Sequence, residues 1–165
     1  MSAGGPGARY SSRDFGATSA RLTAEVPDVL IHRSVVTGPS AGSFSAERRH
    51  GVWIVDLPSR VISMTIGELE GGQSSRRHRH TYETILYILE GEGRTHIEDV
   101  AVEWAPGDAV YVPVWAWHFH ENRSGTRRCR YLACENAPML QNLGIALREE
   151  GERASSGDRP VPSEG

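Results

Sequence analysis

Two pairs of histidines have the spacing that places both members of a pair on one face of a β-strand. His78 and His80 form one pair, and His118 and His120 form the other. Side chains at positions i and i+2 of a strand point to the same side, so each pair can project two imidazoles together. Imidazole nitrogen is a common protein ligand for Fe, Zn, Ni and Cu. One such pair alone would also fit an exposed strand end, but a second pair set among large aromatic residues favours a metal site inside a barrel.

The segments that must position these histidines read as short strands rich in Val, Ile, Tyr and Trp, separated by turns that contain glycine. Strands of this length and spacing are typical of a β-sandwich or barrel, so we predict an all-β fold. The expected strands are 52–57, 60–69, 84–90, 93–98, 100–104, 109–113, 117–121 and 127–135. Residues 37–46 read as a loop, and 29–36 and 138–149 have room for a further strand or a short helix.

The composition of the 165-residue chain fits one globular domain with polar ends. We predict a single domain at 25–147 between disordered tails at 1–20 and 149–165, because these ends bury too little apolar surface to offset their ordering entropy. The formal net charge of -3 gives no basic signal, so we expect no nucleic-acid partner. The N-terminus has no apolar signal core and no stretch reaches the length of a membrane span. We therefore expect a cytoplasmic protein without a membrane partner.

Both histidine pairs lie in longer patterns that resemble the two motifs of the cupin family. In the first motif, a Gly is followed by five residues, HxH and a closing Gly. In the second, a Gly is followed by five residues, a Pro, and then a His and an Asn four positions apart. The matching residues are Gly72, His78, His80 and Gly91 in the first motif and Gly107, Pro113, His118 and Asn122 in the second. The Gly that usually stands two residues after this Pro is Trp115 here.

The resemblance covers about residues 60–135. It implies a double-stranded β-helix, the cupin jelly-roll barrel, which holds one divalent metal ion and often forms a homodimer. Because cupins carry out very diverse chemistry, the fold alone does not define the reaction.

The carboxylate that usually completes the first cupin motif is displaced in this chain. Counted back from Gly91, it falls at Thr84, whereas the nearby Glu83 stands one residue early. A shift of one residue on a strand turns a side chain to the opposite face, so we expect Glu83 to point away from the metal. An additional contact of Glu83 with the metal or its ligands, through a distorted strand start, stays open.

The remaining ligands are then His78, His80 and His118. This set is similar to the gentisate 1,2-dioxygenase branch of the cupins, in which three histidines without a carboxylate hold Fe(II). The resemblance implies Fe(II) here, with Zn, Ni or Mn as alternatives. Enzymes of that branch usually contain two cupin domains, whereas this chain shows one.

Three neutral imidazoles leave the full charge of a divalent metal uncompensated and about three octahedral positions open. An anionic small molecule bound through two atoms, with O2 in the third position, fits such a site. His120 shares the face of His118 and is expected to act as a hydrogen-bonding or acid/base group rather than as a fourth ligand. The candidates for the substrate pocket are Tyr82, Thr84, Tyr111, Trp115 and Trp117, with core packing as the alternative for the four aromatic residues.

Other side chains with possible chemistry are assigned structural roles. His32 and His50 have no partner in sequence and are expected at the surface, and His96 is expected at the surface or in the core. Cys129 and Cys134 should lie on opposite faces of one strand, with at least one in the core. The arginines 76, 77 and 79 are expected to be solvated, with attraction of an anionic substrate as the alternative.

Three classes of function follow. The first is a non-haem Fe(II) dioxygenase that acts on a small anionic, aromatic or other compound. The second is a metal-dependent isomerase, lyase or tailoring enzyme that does not use O2 and binds Zn, Ni or Mn. The third is a cupin that binds a small molecule without catalysis. Oxygen uptake with Fe(II) separates the first class from the others, and anaerobic turnover separates the second from the third.

Overall fold

The computed structural model describes residues 15–16 and 21–151. These residues form two short helices, α1 (Gly42–Arg48) and α2 (Ala137–Asn142). They also form the strands β1 (Gly51–Ile54), β2 (Ser63–Leu69), β3 (His78–His80), β4 (Thr84–Glu90), β5 (Gly93–Ile97), β6 (Val100–Trp104), β7 (Ala109–Val112), β8 (His118–Asn122), β9 (Cys129–Glu135) and β10 (Arg148–Glu150). The expected tails at 1–20 and 149–165 lie mostly outside the described residues.

The strands form two antiparallel five-stranded sheets, which confirms the predicted all-β jelly-roll fold. Sheet A has the order β1-β2-β9-β4-β7, and sheet B has the order β10-β3-β8-β5-β6. In sheet A, β9 lies between β2 and β4, and in sheet B, β8 lies between β3 and β5. The sheets therefore join strands that are far apart in sequence, and the side chains of their inner faces meet between them.

Several predicted elements differ from the observed ones. The segment 37–46, expected as a loop, contains most of α1. No helix or strand forms at 29–36, whereas 138–149 contributes to α2 and β10. Since β10 pairs with β3, the folded domain continues past the expected limit of residue 147.

Polarity changes along the inner faces of sheet A, and this change positions the site. At one end, Leu69, Ile88 and Cys129 belong to a buried apolar core together with Trp104 of β6. Towards the other end, the inner faces of the same strands carry small or polar residues, which line a cavity. The inward alternation of β9, for example, runs from the Cys129 thiol to a carboxyl group at Glu135. The barrel thus has an apolar end and a polar end, and the cavity lies at the polar one.

One glycine makes room for a side chain at the border of the core and the cavity. A Cβ atom added to Gly67 on β2 would lie 2.3 Å from the Cζ atom of Tyr131 on β9. Because glycine has no side chain, the ring of Tyr131 can take that space, and Tyr131 lines the cavity.

Trp115 adopts a backbone conformation that favours glycine. It stands where the cupin motif usually has Gly, and its φ of 63° is in the left-handed region. Its backbone N–H donates to the carbonyl of His80 at 2.8 Å, so this turn also supports β3. The indole ring lies under the guanidinium of Arg79, 4.5 Å from ring centroid to Cζ.

The strain at Trp115 predicts an order of stability for two substitutions. Trp115→Gly and Trp115→Ala both lose the ring, but only glycine adopts a positive φ without steric cost. We expect the Gly variant to be more stable than the Ala variant by about 1 kcal/mol. Urea unfolding measures the difference in the free energy of unfolding between the two variants. If the Ala variant is at least as stable as the Gly variant, the backbone at position 115 is not strained.

Candidate metal centre

Two adjacent strands of sheet B bring the four histidines together. His78 and His80 lie on β3, His118 and His120 lie on β8, and His78 pairs directly with His118. All four side chains point inward and are buried, with at most 7% of each residue exposed. One ring nitrogen each of His78, His80 and His118 lies within 4.8 Å of the others. Small side-chain rotations can therefore bring all three onto one metal ion.

Hydrogen bonds fix which nitrogen of each of these three rings has a free lone pair. The Nδ1 atoms of His78, His80 and His118 lie 2.7–2.8 Å from the backbone carbonyl oxygens of Arg76, Tyr82 and Ala116, respectively. A carbonyl oxygen only accepts, so each Nδ1 carries the proton and donates. Each Nε2 then has a free lone pair, which is the form that binds a metal. The donor set thus fits a divalent transition metal.

His120 has the opposite tautomer. Trp104 Nε1, which can only donate, lies 3.0 Å from Thr95 Oγ1, and this oxygen lies 3.0 Å from His120 Nδ1. Thr95 is fully buried, and the remaining use for its hydroxyl proton among the described residues is donation to Nδ1. The proton of His120 is therefore on Nε2. His120 offers a hydrogen-bond donor rather than a metal-binding lone pair.

Burial keeps the histidine cluster neutral. Desolvation lowers the pKa of His80 and of His118 to about 4, and the nearby Arg48 guanidinium lowers both further. Charge repulsion from His118 also lowers the pKa of His80. The pKa values of His78 and His120 are also lowered well below the usual 6.5, again mainly by burial. Neutral imidazole is the metal-binding form, so the fold maintains it at physiological pH.

The cavity in front of the histidines lies between the sheets and is covered by α1. Its free volume is about 50 Å³, enough for a few water molecules. Sheet B contributes His78, His118 and His120, whereas sheet A contributes both apolar and polar side chains. The lining residues are Phe44, Arg48, His50, Val52, Thr65, Gly67, His78, Thr84, Leu86, His118, His120, Tyr131, Ala133 and Glu135.

Arg48 is the cation of this cavity. It is the last residue of α1, and its guanidinium lies over the ring of Phe44, 4.3 Å from the centroid. Its Nε atom is buried and has no hydrogen-bond partner among the described residues. None of the ion pairs formed by the described residues includes Arg48. A charged donor that is buried without a partner is costly, and this free N–H suits Arg48 to receive an anion.

The arginines that the sequence suggested for this task are engaged elsewhere. Arg76 pairs with Glu150, and Arg79 pairs with Glu149 and stacks on Trp115 and Trp117. Arg77 stacks on Trp117 at 4.7 Å. None of the three lines the cavity.

The prediction that His50 is a surface residue is wrong. His50 is buried and lines the cavity, and burial lowers its pKa to about 4. Its Nδ1 donates to the carbonyl of Arg48 at 2.9 Å, so its Nε2 accepts from the hydroxyl of Tyr131 at 2.8 Å. His32 is partly exposed and accepts from the backbone N–H of Asp56, and His96 stacks on Phe119 beside Glu121.

Of the five residues expected near the substrate, only Thr84 lines the cavity. Tyr82 does not line the cavity but is buried beside it, where its ring stacks on His80 with centroids 3.8 Å apart. The indoles of Trp115 and Trp117 lie at the surface against arginines. Tyr111 is half-exposed on the outer face of sheet A.

Glu83 lies outside the cavity, on the side that the one-residue shift predicts. Its carboxylate accepts a hydrogen bond from the hydroxyl of Tyr111 at 2.7 Å. The cavity does contain a carboxyl group, but it belongs to Glu135, which the sequence analysis did not select. The inward alternation of Cys129, Tyr131 and Ala133 along β9 was the signal that could have identified it.

Among residues 15–16 and 21–151, no helix has the length and apolar character needed to cross a bilayer. The cytoplasmic location stays a prediction from the sequence.

Comparisons with known proteins relate the chain to one family. Residues 65–134 match the profile described as the cupin domain, Cupin_2. A 5-aminosalicylate 1,2-dioxygenase from a Comamonas species is 35% identical over 82 residues, which cover 50% of this chain and 21% of that protein. A gentisate 1,2-dioxygenase from a Streptomyces species is 30% identical over 90 residues, covering 53% of this chain and 25% of the relative. This chain thus spans about a quarter of the length of these relatives.

Solved structures agree on the fold. A salicylate 1,2-dioxygenase from Pseudaminobacter salicylatoxidans superposes with a TM-score of 0.60 at 19% identity, covering 70% of this chain and 36% of that one. A cupin-2 domain from Rhodospirillum rubrum gives a TM-score of 0.50 at 23% identity, covering 55% and 61%. Both comparisons confirm a jelly-roll barrel of the predicted kind.

Proposed function

We propose that this chain, which carries a cupin domain of the gentisate dioxygenase-like branch, is a non-haem Fe(II) dioxygenase that acts on a small anionic aromatic compound. The observation that carries the proposal is the cluster of His78, His80 and His118, in which one ring nitrogen of each lies within 4.8 Å of the others and each Nε2 has a free lone pair. The names of the relatives, which are ring-cleaving dioxygenases of aminosalicylate and gentisate, support the same reaction class.

Different residues of the chain have different roles in such a reaction. The three histidines hold the metal, and their Nδ1 hydrogen bonds to backbone carbonyls keep the rings oriented. His120 presents its Nε2–H as a donor to substrate oxygen, held in place by the Trp104–Thr95 chain. When bound, Fe(II) supplies the electron transfer that lets O2 react with an organic ring. The buried walls of the cavity exclude bulk water from that reaction.

Charge favours an anionic substrate. A divalent ion held by three neutral ligands keeps its full charge, and Arg48 adds a further positive charge in the same cavity. A free volume of about 50 Å³ is small for an aromatic ring. Entry of such a substrate therefore requires the side chains of Phe44 and Arg48 on α1 to swing outward, and closure behind it would bring Arg48 onto the anion.

Oxygen uptake by the iron-loaded protein tests the proposal. Protein purified without added metal is analysed for its metal content, reconstituted with Fe(II) and supplied with gentisate, salicylate or 5-aminosalicylate. We expect oxygen consumption coupled to loss of the aromatic absorbance. Turnover without oxygen would instead favour an isomerase or lyase that uses Zn, Ni or Mn. Tight binding without turnover would favour a small-molecule-binding cupin.

We further propose that the chain forms a homodimer through the outer face of sheet A. Two rows of apolar side chains cross this face in register, where a charged row would be expected on a solvated sheet. The first row is Trp53, Ile66, Leu132, Tyr87 and Ala109. The second row is Met64, Cys134, Ile85 and Tyr111. Ile85 and Tyr111 are about half-exposed, at 53% and 51%.

The segment 21–31 supports a second copy as the partner of this face. Its apolar residues are all more than half-exposed: Leu22, Val26, Val29, Leu30 and Ile31. The hydrogen bond between His32 and the backbone of Asp56 fixes the end of this arm beside β1, at the edge of sheet A. An extended arm of this length reaches about 35 Å, whereas five strands span about 20 Å. In a two-fold pair, each arm can therefore cross the apolar rows of the other chain.

A charge placed on this face is expected to dissociate the dimer. Tyr87→Arg introduces a buried, unpaired cation into the centre of the proposed interface. Light scattering at micromolar concentration should give twice the mass of one chain for the wild type and a single-chain mass for this variant. Ala101→Arg, on the exposed edge strand β6 of sheet B, is the matched control and should stay dimeric. A wild-type mass of one chain would reject the proposal.

A further inference from the structure

Glu135 is the only carboxylate among the residues that line the cavity. It is the last residue of β9 and follows Tyr131 and Ala133 on the inner face of sheet A, across the cavity from the histidines on sheet B. Its Oε1 accepts a hydrogen bond from Thr84 Oγ1 at 3.2 Å. Its Oε2 has no hydrogen-bond partner among residues 15–16 and 21–151. The carboxylate is thus oriented by one oxygen and free to accept a proton with the other.

The other groups of the site that could accept a proton are histidines, and the lone pair of each one either faces the metal position or accepts a hydrogen bond. The three Nε2 lone pairs of His78, His80 and His118 face the metal position. His120 accepts from Thr95 through Nδ1 and has a proton on Nε2. His50 accepts from Tyr131 through Nε2 and donates through Nδ1. By elimination, a ligand in this cavity that must lose a proton finds one available acceptor.

We propose that Glu135 accepts a proton from the substrate, and that the substrate therefore carries an acidic O–H or N–H beside its anionic group. This inference rests on the proposed function for the identity of the substrate class. In the step, the O–H bond of the substrate breaks and a new O–H bond forms at Glu135 Oε2. The electron pair stays on the substrate oxygen, which is then anionic and suited to bind a cation. Arg48 receives the other anionic group.

The environment of Glu135 suits it to this role. Burial raises its pKa above the usual value for a carboxyl group, so it is a stronger base than an exposed carboxylate, while Arg48 from α1 and Thr84 from β4 oppose the shift. Tyr82 and Tyr131 also face it, and its negative charge contributes to raising the pKa of both phenols. Both tyrosines are thus neutral, which leaves Glu135 as the group that changes its protonation state.

Proton release on ligand binding tests this role without turnover. Full-length protein loaded with Zn(II), which does not support reaction with O2, is titrated with salicylate by calorimetry at pH 7. The titration is repeated in two buffers with different ionisation enthalpies, and the difference gives the number of protons released. For the wild type we expect about zero, because the phenol proton moves to Glu135 and stays in the complex. For Glu135→Gln we expect about one proton released to the buffer, together with at least about tenfold weaker binding.

Glu83→Gln is the matched control, because its carboxylate lies outside the cavity, and it should behave as the wild type. Both variants should bind one Zn per chain. Release of one proton by the wild type would overturn the role of Glu135, and this measurement needs no variant to fold. Loss of zinc from Glu135→Gln would also overturn it, by making Glu135 a metal ligand. Failure of the wild type to bind salicylate would instead reject the substrate class and both proposals with it.

Discussion

Alanine at His78, His80 or His118 is expected to abolish metal retention, whichever of the three is replaced. Two imidazoles hold a first-row divalent ion poorly against buffer and chelators, and no carboxylate belongs to the cluster of nitrogens among the described residues. Each substitution also leaves a hole in a buried site. Metal analysis after gel filtration should therefore give about one ion per chain for the wild type and close to none for these variants.

Two further variants distinguish the three-histidine site from the alternatives. His120→Ala should keep the metal but slow turnover by about 10–100-fold, because its Nε2 is a donor that a metal cannot use. Glu83→Ala should keep the metal, since its carboxylate contacts Tyr111 instead. If Glu83→Ala empties the site as fully as His118→Ala does, the assignment is wrong. The site would then contain three histidines and a glutamate, which favours a metal-dependent enzyme that does not use O2.

Loss of the Arg48 charge is expected to weaken binding of the substrate rather than of the metal. A charge-assisted hydrogen bond is worth about 1.5–3 kcal/mol, so Arg48→Met should raise KM for an anionic substrate by about 10–100-fold. The metal content should not change, because Arg48 donates no lone pair. Steady-state kinetics over a range of substrate concentrations, with metal analysis of the same samples, measures both effects.

The matched control for Arg48 is Arg79→Met, which removes a guanidinium from the neighbouring surface. Arg79 pairs with Glu149 and stacks on two indoles outside the cavity, so its loss should leave KM within about twofold. Equal effects of the two substitutions would show that general attraction between the protein and the anion, and not a contact inside the cavity, accounts for the role of Arg48.

The parts of the fold that could be predicted from sequence are those with a regular period and clear turns. β4 and β6 were predicted to the residue, since β4 alternates between buried and exposed positions and both strands end beside turn residues. The two histidine pairs followed from the same period of two. A strand has only two faces, so once one residue i is assigned to a face, the residues at i−2 and i+2 are assigned to the same face.

The parts that escaped prediction depend on contacts between distant segments. His50 has no histidine neighbour in sequence, and its burial depends on Tyr131, which lies 81 positions further along the chain. Arg48 is in a seven-residue helix that buries no side chain fully. The helix therefore has no apolar face from which the position of Arg48 could be predicted. Glu135 stands at the end of a strand, where a charged residue usually marks a solvated terminus. Only the packing of α1 and sheet A over the histidines makes these residues part of the cavity.

The strand that carries two of the histidines depends on the end of the domain. β3 is three residues long and pairs with β8 through one residue pair, but with β10 through three. A nascent chain that has emerged from the ribosome up to Asn122 already contains the four histidines of the site. At that stage β3 still lacks β10, its neighbour at the edge of sheet B. Closing the large loop between β3 and β10 is entropically slow, so it should come late in folding. The metal ion should then bind after β10 has paired with β3. It would stabilise the contacts that form last in folding rather than start the assembly of the barrel.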